Sequence, residues 1–123
     1  MTQTKSPARL VKFTDLEFKP RAEGGDQAQL ANICSSADGS ELGCGMARLR
    51  KARLEWTVKY DEVLHVVEGQ VRVHTPDGVL TANSKDSIWL PAGTPLVYEA
   101  EDALVFFAIH PANWAEPQSY QGN

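Results

Sequence analysis

Short runs of β-branched and aromatic residues recur along the whole chain, and Gly, Pro, Asp and Asn separate them. No stretch sustains an apolar 3.6-residue period long enough for a helix of ordinary length. A chain written this way buries alternate side chains of extended segments, so its core has to lie between sheets. The runs predict strands near residues 10–13, 28–35, 42–50, 54–58, 62–68, 70–74, 78–82, 86–90, 96–99 and 103–109. Asp38-Gly39 and Asp77-Gly78 are hairpin signals, because a tight turn of the favoured twist needs residues that tolerate positive φ. The segment 17–26, with Pro20, Gly24 and Gly25, reads as a loop, and the tail after Pro111 as irregular. Roughly ten short strands at even spacing predict an all-β antiparallel sandwich or barrel.

The 123 residues suffice for one core but not two. We therefore read 1–123 as one domain, with its core at about 28–114, an N-terminal arm 1–27 and a C-terminal tail 115–123. Hydrophobic residues at 42% and charged residues at 23% match an ordinary globular protein. A net charge of -4 argues against nucleic acid or an anionic membrane as partner. Arg48, Arg50, Lys51 and Arg53 do cluster, but no aromatic residues alternate with them to stack on bases, so they read as a solvated face. No apolar run approaches the ~20 residues of a membrane span. The stretch from Met1 to Pro7 lacks the apolar core of a signal peptide, so the expected location is cytoplasmic.

Within residues 54–69, Glu62 shares a strand face with Leu64 and Val66. A carboxylate on an apolar face is costly unless it is paired, hydrogen-bonded or protonated. Glu62 is either a structural acid held by Tyr60, Tyr98 or an arginine, or a pocket acid or base whose pKa is raised towards neutrality by burial. Tyr60 and Asp61 fall in the turn before it, at the expected mouth of the barrel. Trp56 packs in the core or forms a pocket wall, where its ring face would suit an ammonium group. The strand from Val63 to Val67 is apolar on both faces, which implies a cover outside, most simply the second copy in a homodimer.

His65 is out of phase with Glu62 and should face the other way. His74, beside Arg72, reads as solvated, and His110, at the end of the last strand, either packs or caps there or lines the mouth. Two cysteines are too few for a disulfide scaffold. A hairpin at Asp38-Gly39 would put Cys34 and Cys44 about opposite each other, as two reduced, partly buried thiols or as a cross-strand disulfide or redox pair. Both fall away from the expected mouth. The chain has neither a Walker-type phosphate loop nor a Gly-x-Ser-x-Gly elbow.

Glu62-Val63-Leu64-His65-Val66-Val67-Glu68-Gly69 resembles the end of the first cupin motif, and Asp86-Ser87-Ile88-Trp89-Leu90-Pro91-Ala92-Gly93 resembles the start of the second. The resemblance implies a single-domain cupin jelly roll, a double-stranded β-helix barrel. A narrower resemblance, to the ethanolamine-utilisation Q family, rests on Trp56-Thr57, Tyr60-Asp61-Glu62, Glu68-Gly69, Pro91-x-Gly93, Asp38-Gly39-Ser40 and above all Pro111-Ala112-Asn113-Trp114. That family is associated with ethanolamine catabolism and bacterial microcompartments, and an acetate kinase activity is attributed to some members. Its pattern implies an aromatic where His110 stands.

Metal-dependent cupins hold their ion with two histidines and a glutamate of the first motif and a histidine of the second. By that resemblance, the corresponding positions here hold Trp56, Val58, Glu62 and Leu96. The expectation is a site without metal or other cofactor. Glu62 and Tyr60 would be catalytic, Trp56, Val58, Asp61, Leu96, Tyr98 and His110 would bind the ligand, and a short amine or carboxylate metabolite would be the partner. One alternative is a non-catalytic dimeric binding or assembly module, its barrel plugged by Trp56, Val58, Leu96 and Tyr98. Another is a divergent metal site that joins Glu62 to Tyr60, Asp61, Glu55 or His110.

Overall fold

The longest strands change their buried face part-way along, and that change folds them into two layers. The computed structural model describes residues 4–21 and 25–115. Among these, the strands are β1 (Lys19–Arg21), β2 (Gly25–Cys34), β3 (Gly43–Thr57), β4 (Asp61–Thr75), β5 (Gly78–Asn83), β6 (Ser87–Leu90) and β7 (Pro95–His110). β3 buries Gly43, Gly45, Ala47 and Leu49, then changes phase to bury Ala52 and Leu54. β4 buries Glu62, Leu64 and Val66, then Val71 and Val73. β7 buries Leu96 and Ala100, then Ala103 and Val105. Side chains alternate with period two, so each change of phase marks a corner.

β3 and β7 turn this corner together, with Arg50 opposite Asp102 and Ala52 opposite Ala100. β4 passes them at Gly69, whose φ is 88. A Cβ there would lie 2.2 Å from the Asp102 carbonyl oxygen, so the position needs glycine both for its φ and for the close approach.

The strand order is β1-β2-β3-β7-β4-β5, with β6 also on β4. All pairings are antiparallel. Asp61 to Val66 of β4 face the end of β7 and Glu62 to His65 also face β6, whereas Gln70 to Thr75 face β5. Val58, Val66, Val71, Val73, Leu90 and Val105 are enclosed between the two layers. This is the antiparallel all-β architecture that the sequence predicts.

Several predicted strands merge. The segments 42–50 and 54–58 form one strand, as do 62–68 with 70–74 and 96–99 with 103–109. The residues that interrupt each apolar pattern mark a corner, not a turn. The strand expected at 10–13 is absent; Phe13–Asp15 is a 3₁₀ turn, and Leu10 and Phe13 are exposed. β1 and the start of β2 fall in the stretch read as loop and arm. Pro20, which has no N–H to donate, fits there because β1 is an edge strand.

Both hairpin signals hold. Ser36–Asp38 forms a 3₁₀ turn capped by Ser35 and closed by Gly39 at φ 75, and Thr75 pairs with Gly78. Arg9 clamps the first of these turns by donating to both carboxylate oxygens of Asp38, at 2.9 and 3.1 Å. Outside β4, Val63 and Val67 are exposed, with Trp89 opposite Val63. Among the described residues, no helix is long and apolar enough to cross a membrane.

Candidate functional site

A cavity of about 540 Å³ opens between the layers. Ala28 and Leu30 of β2, Ala47 and Leu49 of β3, and Val105 and Phe107 of β7 give it an apolar wall. Arg21, Trp56, Tyr60, Glu62, Tyr98 and Trp114 complete it with aromatic and charged groups.

Glu62 reaches the cavity because it keeps phase with Leu64 and Val66 along β4, and it is only 5% exposed. Tyr98 sits on β7 opposite Leu54 and donates its hydroxyl to Glu62 Oε1 at 2.8 Å. Burial pushes the Glu62 carboxyl up to about 7, while the Tyr98 hydrogen bond and then the charge of Arg21 act against the rise. Burial, and next the Glu62 carboxylate, push Tyr60 up to about 12, and the same causes raise Tyr98 further. Both phenols therefore keep their protons at neutral pH, and Glu62 alone of the three exchanges one there.

Trp56 Nε1 donates to Tyr60 Oη at 3.2 Å. Trp114 packs on both, with ring centroids 5.7 Å from Trp56 and 5.1 Å from Tyr60. Arg21 lies over the Trp56 ring with its Cζ 5.0 Å from the centroid, and Lys59 Nζ is 5.9 Å from the same ring. The cation expected over Trp56 is thus supplied by the protein itself. A group of aromatic rings, the Arg21 cation on the wall and one titratable acid can hold a small organic ion and exchange a proton with it.

Of the residues singled out in the sequence, Glu62, Tyr60, Trp56 and Tyr98 line this cavity. Val58 and Leu96 lie in the core at 1% and 5% exposure, outside the lining. The Val58 backbone holds the β6–β7 turn instead, donating to Thr94 O at 3.0 Å and accepting from Gly93 N at 2.7 Å. Asp61 is exposed, and its Oδ1 accepts from Ala92 N at 2.9 Å, which ties down the same turn. His110 does not line the cavity either; it is exposed, 3.4 Å from Glu41.

His74 is not simply solvated, because its Nε2 lies 2.8 Å from Glu99 Oε1, which Arg72 also contacts. His65 faces away from Glu62 as expected, its Nδ1 2.9 Å from Ser87 Oγ. Cys34 and Cys44 line the cavity, contrary to the expectation that they stand apart from it. Arg21 lies in the stretch 17–26, whose composition reads as loop, and Trp114 in the irregular segment after Pro111, so neither carries a local signal for the site.

Among the described residues, no group of three or more His, Cys, Asp or Glu comes together. Glu55, Asp61 and His110 are exposed and outside the cavity lining, so they do not converge on Glu62. One carboxylate beside protonated phenols is a poor donor set for a transition metal.

Residues 5–116 match the family described as ethanolamine utilisation protein EutQ. The chain belongs to that family. The acetate kinase EutQ of Clostridioides difficile (strain 630) is 25% identical over 116 residues, which cover 94% of this chain and 73% of that protein. The acetate kinase EutQ of Escherichia coli (strain K12) is 28% identical over 86 residues, 69% of this chain but only 37% of that protein. The chain thus spans little more than a third of the Escherichia coli relative. The crystal structure of ethanolamine utilization protein Q from Salmonella typhimurium LT2 superposes with a TM-score of 0.77 at 22% identity, covering 85% of this chain and 86% of that one. An RmlC-like cupin from Shewanella frigidimarina NCIMB 400 gives 0.70 at 16% identity, covering 91% and 96%. The fold of this EutQ-family chain is therefore the single-domain cupin jelly roll. Its Pro111–Trp114 segment, which carries much of the family resemblance, is held where Ala112 N donates to Glu41 O at 2.8 Å, and it sets Trp114 against Trp56 and Tyr60.

Proposed function

We propose that this EutQ-family cupin binds a small organic acid in its cavity, and that Glu62 exchanges a proton with the ligand or hydrogen-bonds it, without a metal. The observation that carries this reading is Glu62 itself, a buried carboxyl on a cavity wall whose proton affinity is raised to about 7. Arg21, beside Trp56, is a fixed cation suited to the carboxylate end of a ligand, and Tyr60 and Tyr98 can donate to its oxygens. The name acetate kinase belongs to relatives, and acetate is itself a short carboxylate. The size argues for more than acetate alone. A volume of 540 Å³ lies within the roughly 300–1,000 Å³ of sites for much larger ligands, so there is room for a longer acid or a second reactant. An open cavity also speaks against a barrel plugged by its own side chains.

A second reading is favoured by the rings of Tyr60 and Trp114 near Glu62, where a short amine of the ethanolamine type would place its ammonium. Calorimetric titration with acids and amines of increasing length, at about pH 6 and about pH 8, separates the two. Ionised Glu62 repels a carboxylate and attracts an ammonium, so acid binding weakens as pH rises through about 7 and amine binding strengthens. Glu62→Gln should abolish that pH dependence in either case. If neither class binds the wild-type protein, or the pH dependence persists in Glu62→Gln, the role given to Glu62 is wrong.

The exposed strip of Val63, Val67 and Trp89 supports a homodimer, in which a second copy would cover it. The family's ethanolamine-utilisation name supports a cytoplasmic setting or one associated with a bacterial microcompartment.

A further inference from the structure

Away from Glu62, the cavity wall carries a second pair of reactive groups. Cys34 on β2 and Cys44 on β3 are directly opposed across the antiparallel ladder. Both are free, and their sulfurs lie 3.4 Å apart. Each is half-buried and lines the cavity, where a molecule as small as a peroxide can reach it. Opposed residues in such a ladder have Cα atoms about 4.5–5.5 Å apart, inside the range of about 4.4–6.8 Å found across disulfides. Bond formation at about 2.05 Å brings the sulfurs together by roughly 1.4 Å, which side-chain rotation can supply. A register shift between Asn32 and Cys34 marks an irregularity of the ladder beside the pair.

The surroundings distinguish the two thiols. Arg9 donates to Ile33 O at 2.7 Å, one residue from Cys34, and its charge is paired with both carboxylate oxygens of Asp38. Burial, followed by the contact with Cys34, pushes Cys44 up to about 11 and keeps it a thiol at neutral pH. Cys34 is therefore the better placed to attack and Cys44 to resolve.

We propose that Cys34 and Cys44 are a dithiol site that hydrogen peroxide oxidises reversibly to a cross-strand disulfide in the cavity wall. The Cys34 thiolate attacks one peroxide oxygen, the O–O bond breaks, and the departing hydroxide takes up a proton as water. Cys34 is now a sulfenic acid. The Cys44 sulfur attacks the Cys34 sulfur, the S–O bond breaks, and the hydroxyl leaves as water with the proton of Cys44. Two thiols and one peroxide give one disulfide and two waters, and an external dithiol reverses the oxidation by exchange. In a reducing compartment, pairs of this kind are usually transient or redox-sensing.

The chain has no other cysteine, so intact mass and thiol count read the reaction directly. Reduced full-length protein, freed of reductant, is treated with about one equivalent of hydrogen peroxide and alkylated under denaturing conditions. The expected result is that alkylatable thiols fall from two to none, with a mass lower by two hydrogens and a digest fragment joining Cys34 to Cys44. Dithiothreitol should restore both thiols. In Cys44→Ser the reaction should stop at a Cys34 sulfenic acid that dimedone traps. Persistence of both thiols in the wild type, oxidation to sulfinic acid without a bridge, or bridging only between chains would each overturn the proposal. The wild-type arm needs no variant to fold.

Discussion

Replacing Glu62 with Gln should stabilise this protein at alkaline pH and leave it nearly unchanged in acid. The carboxyl is 5% exposed, so its raised proton affinity reflects a real cost of burying the charge. A rise from 4.5 to about 7, at about 1.4 kcal/mol per pH unit, amounts to about 3 kcal/mol. Between these two values the folded state keeps a proton that the unfolded state has released. Stability therefore falls as pH climbs through the window and levels off above it. Gln carries no charge at any pH and still offers Tyr98 an acceptor oxygen. The two proteins should match near pH 4.5, and above about pH 8 the variant should be the more stable by up to about 3 kcal/mol. Urea unfolding followed by tryptophan emission across this range measures the difference, and titrations common to both proteins cancel. A difference that stays flat with pH would show that Glu62 is not ionising in a buried site. The same substitution removes the charge that opposes a bound carboxylate, so acid binding by the variant should no longer weaken above about pH 7.

Gly69→Ala should lower stability by at least about 2 kcal/mol in chemical denaturation, because its φ is 88 and the new Cβ would meet the Asp102 carbonyl. Gly78→Ala is strained by its φ of 130 but has nothing within 4 Å of its Cβ position, so it should cost only that backbone strain, and equal losses would show that the approach to Asp102 adds nothing. Leu90→Ala removes a side chain that is 1% exposed and should cost about 2–5 kcal/mol by the same measurement. Trp114→Ala removes ring contacts to Trp56 and Tyr60, worth about 0.5–1.5 kcal/mol each, and should shift the emission of Trp56 to longer wavelength as water reaches it.

The parts of the fold set by local chemistry were legible in the sequence. Turns at Asp38-Gly39 and Asp77-Gly78 follow from residues that tolerate positive φ, and the inward aim of Glu62 follows from strict alternation with Leu64 and Val66. The corners at Lys51 and Gly69 were not recognised, because a residue that bends a strand interrupts the apolar pattern just as a loop does. β1 was missed for a related reason. Three residues containing a proline carry little strand signal, and the pairing of Lys19 with Leu30 is fixed by the sheet. At the site, counting along motifs brought out Trp56 and Glu62 but also named Val58 and Leu96, which pack behind the cavity. Arg21 and Trp114 come from opposite ends of the chain, and only tertiary structure brings them together over Trp56.

The strand order has a consequence for how the chain is made. β7 lies between β3 and β4, and it pairs with β3 over the whole run from Gly43–Ile109 to Thr57–Pro95. During synthesis β3 and β4 leave the ribosome first, and each exposes a long hydrogen-bonding edge until β7 arrives to fill the gap. Such edges invite pairing with other chains, and contacts this distant in sequence form slowly. The nascent protein is accordingly most prone to aggregate just before residue 110 emerges, and a chaperone that shields strand edges would help it most at that moment.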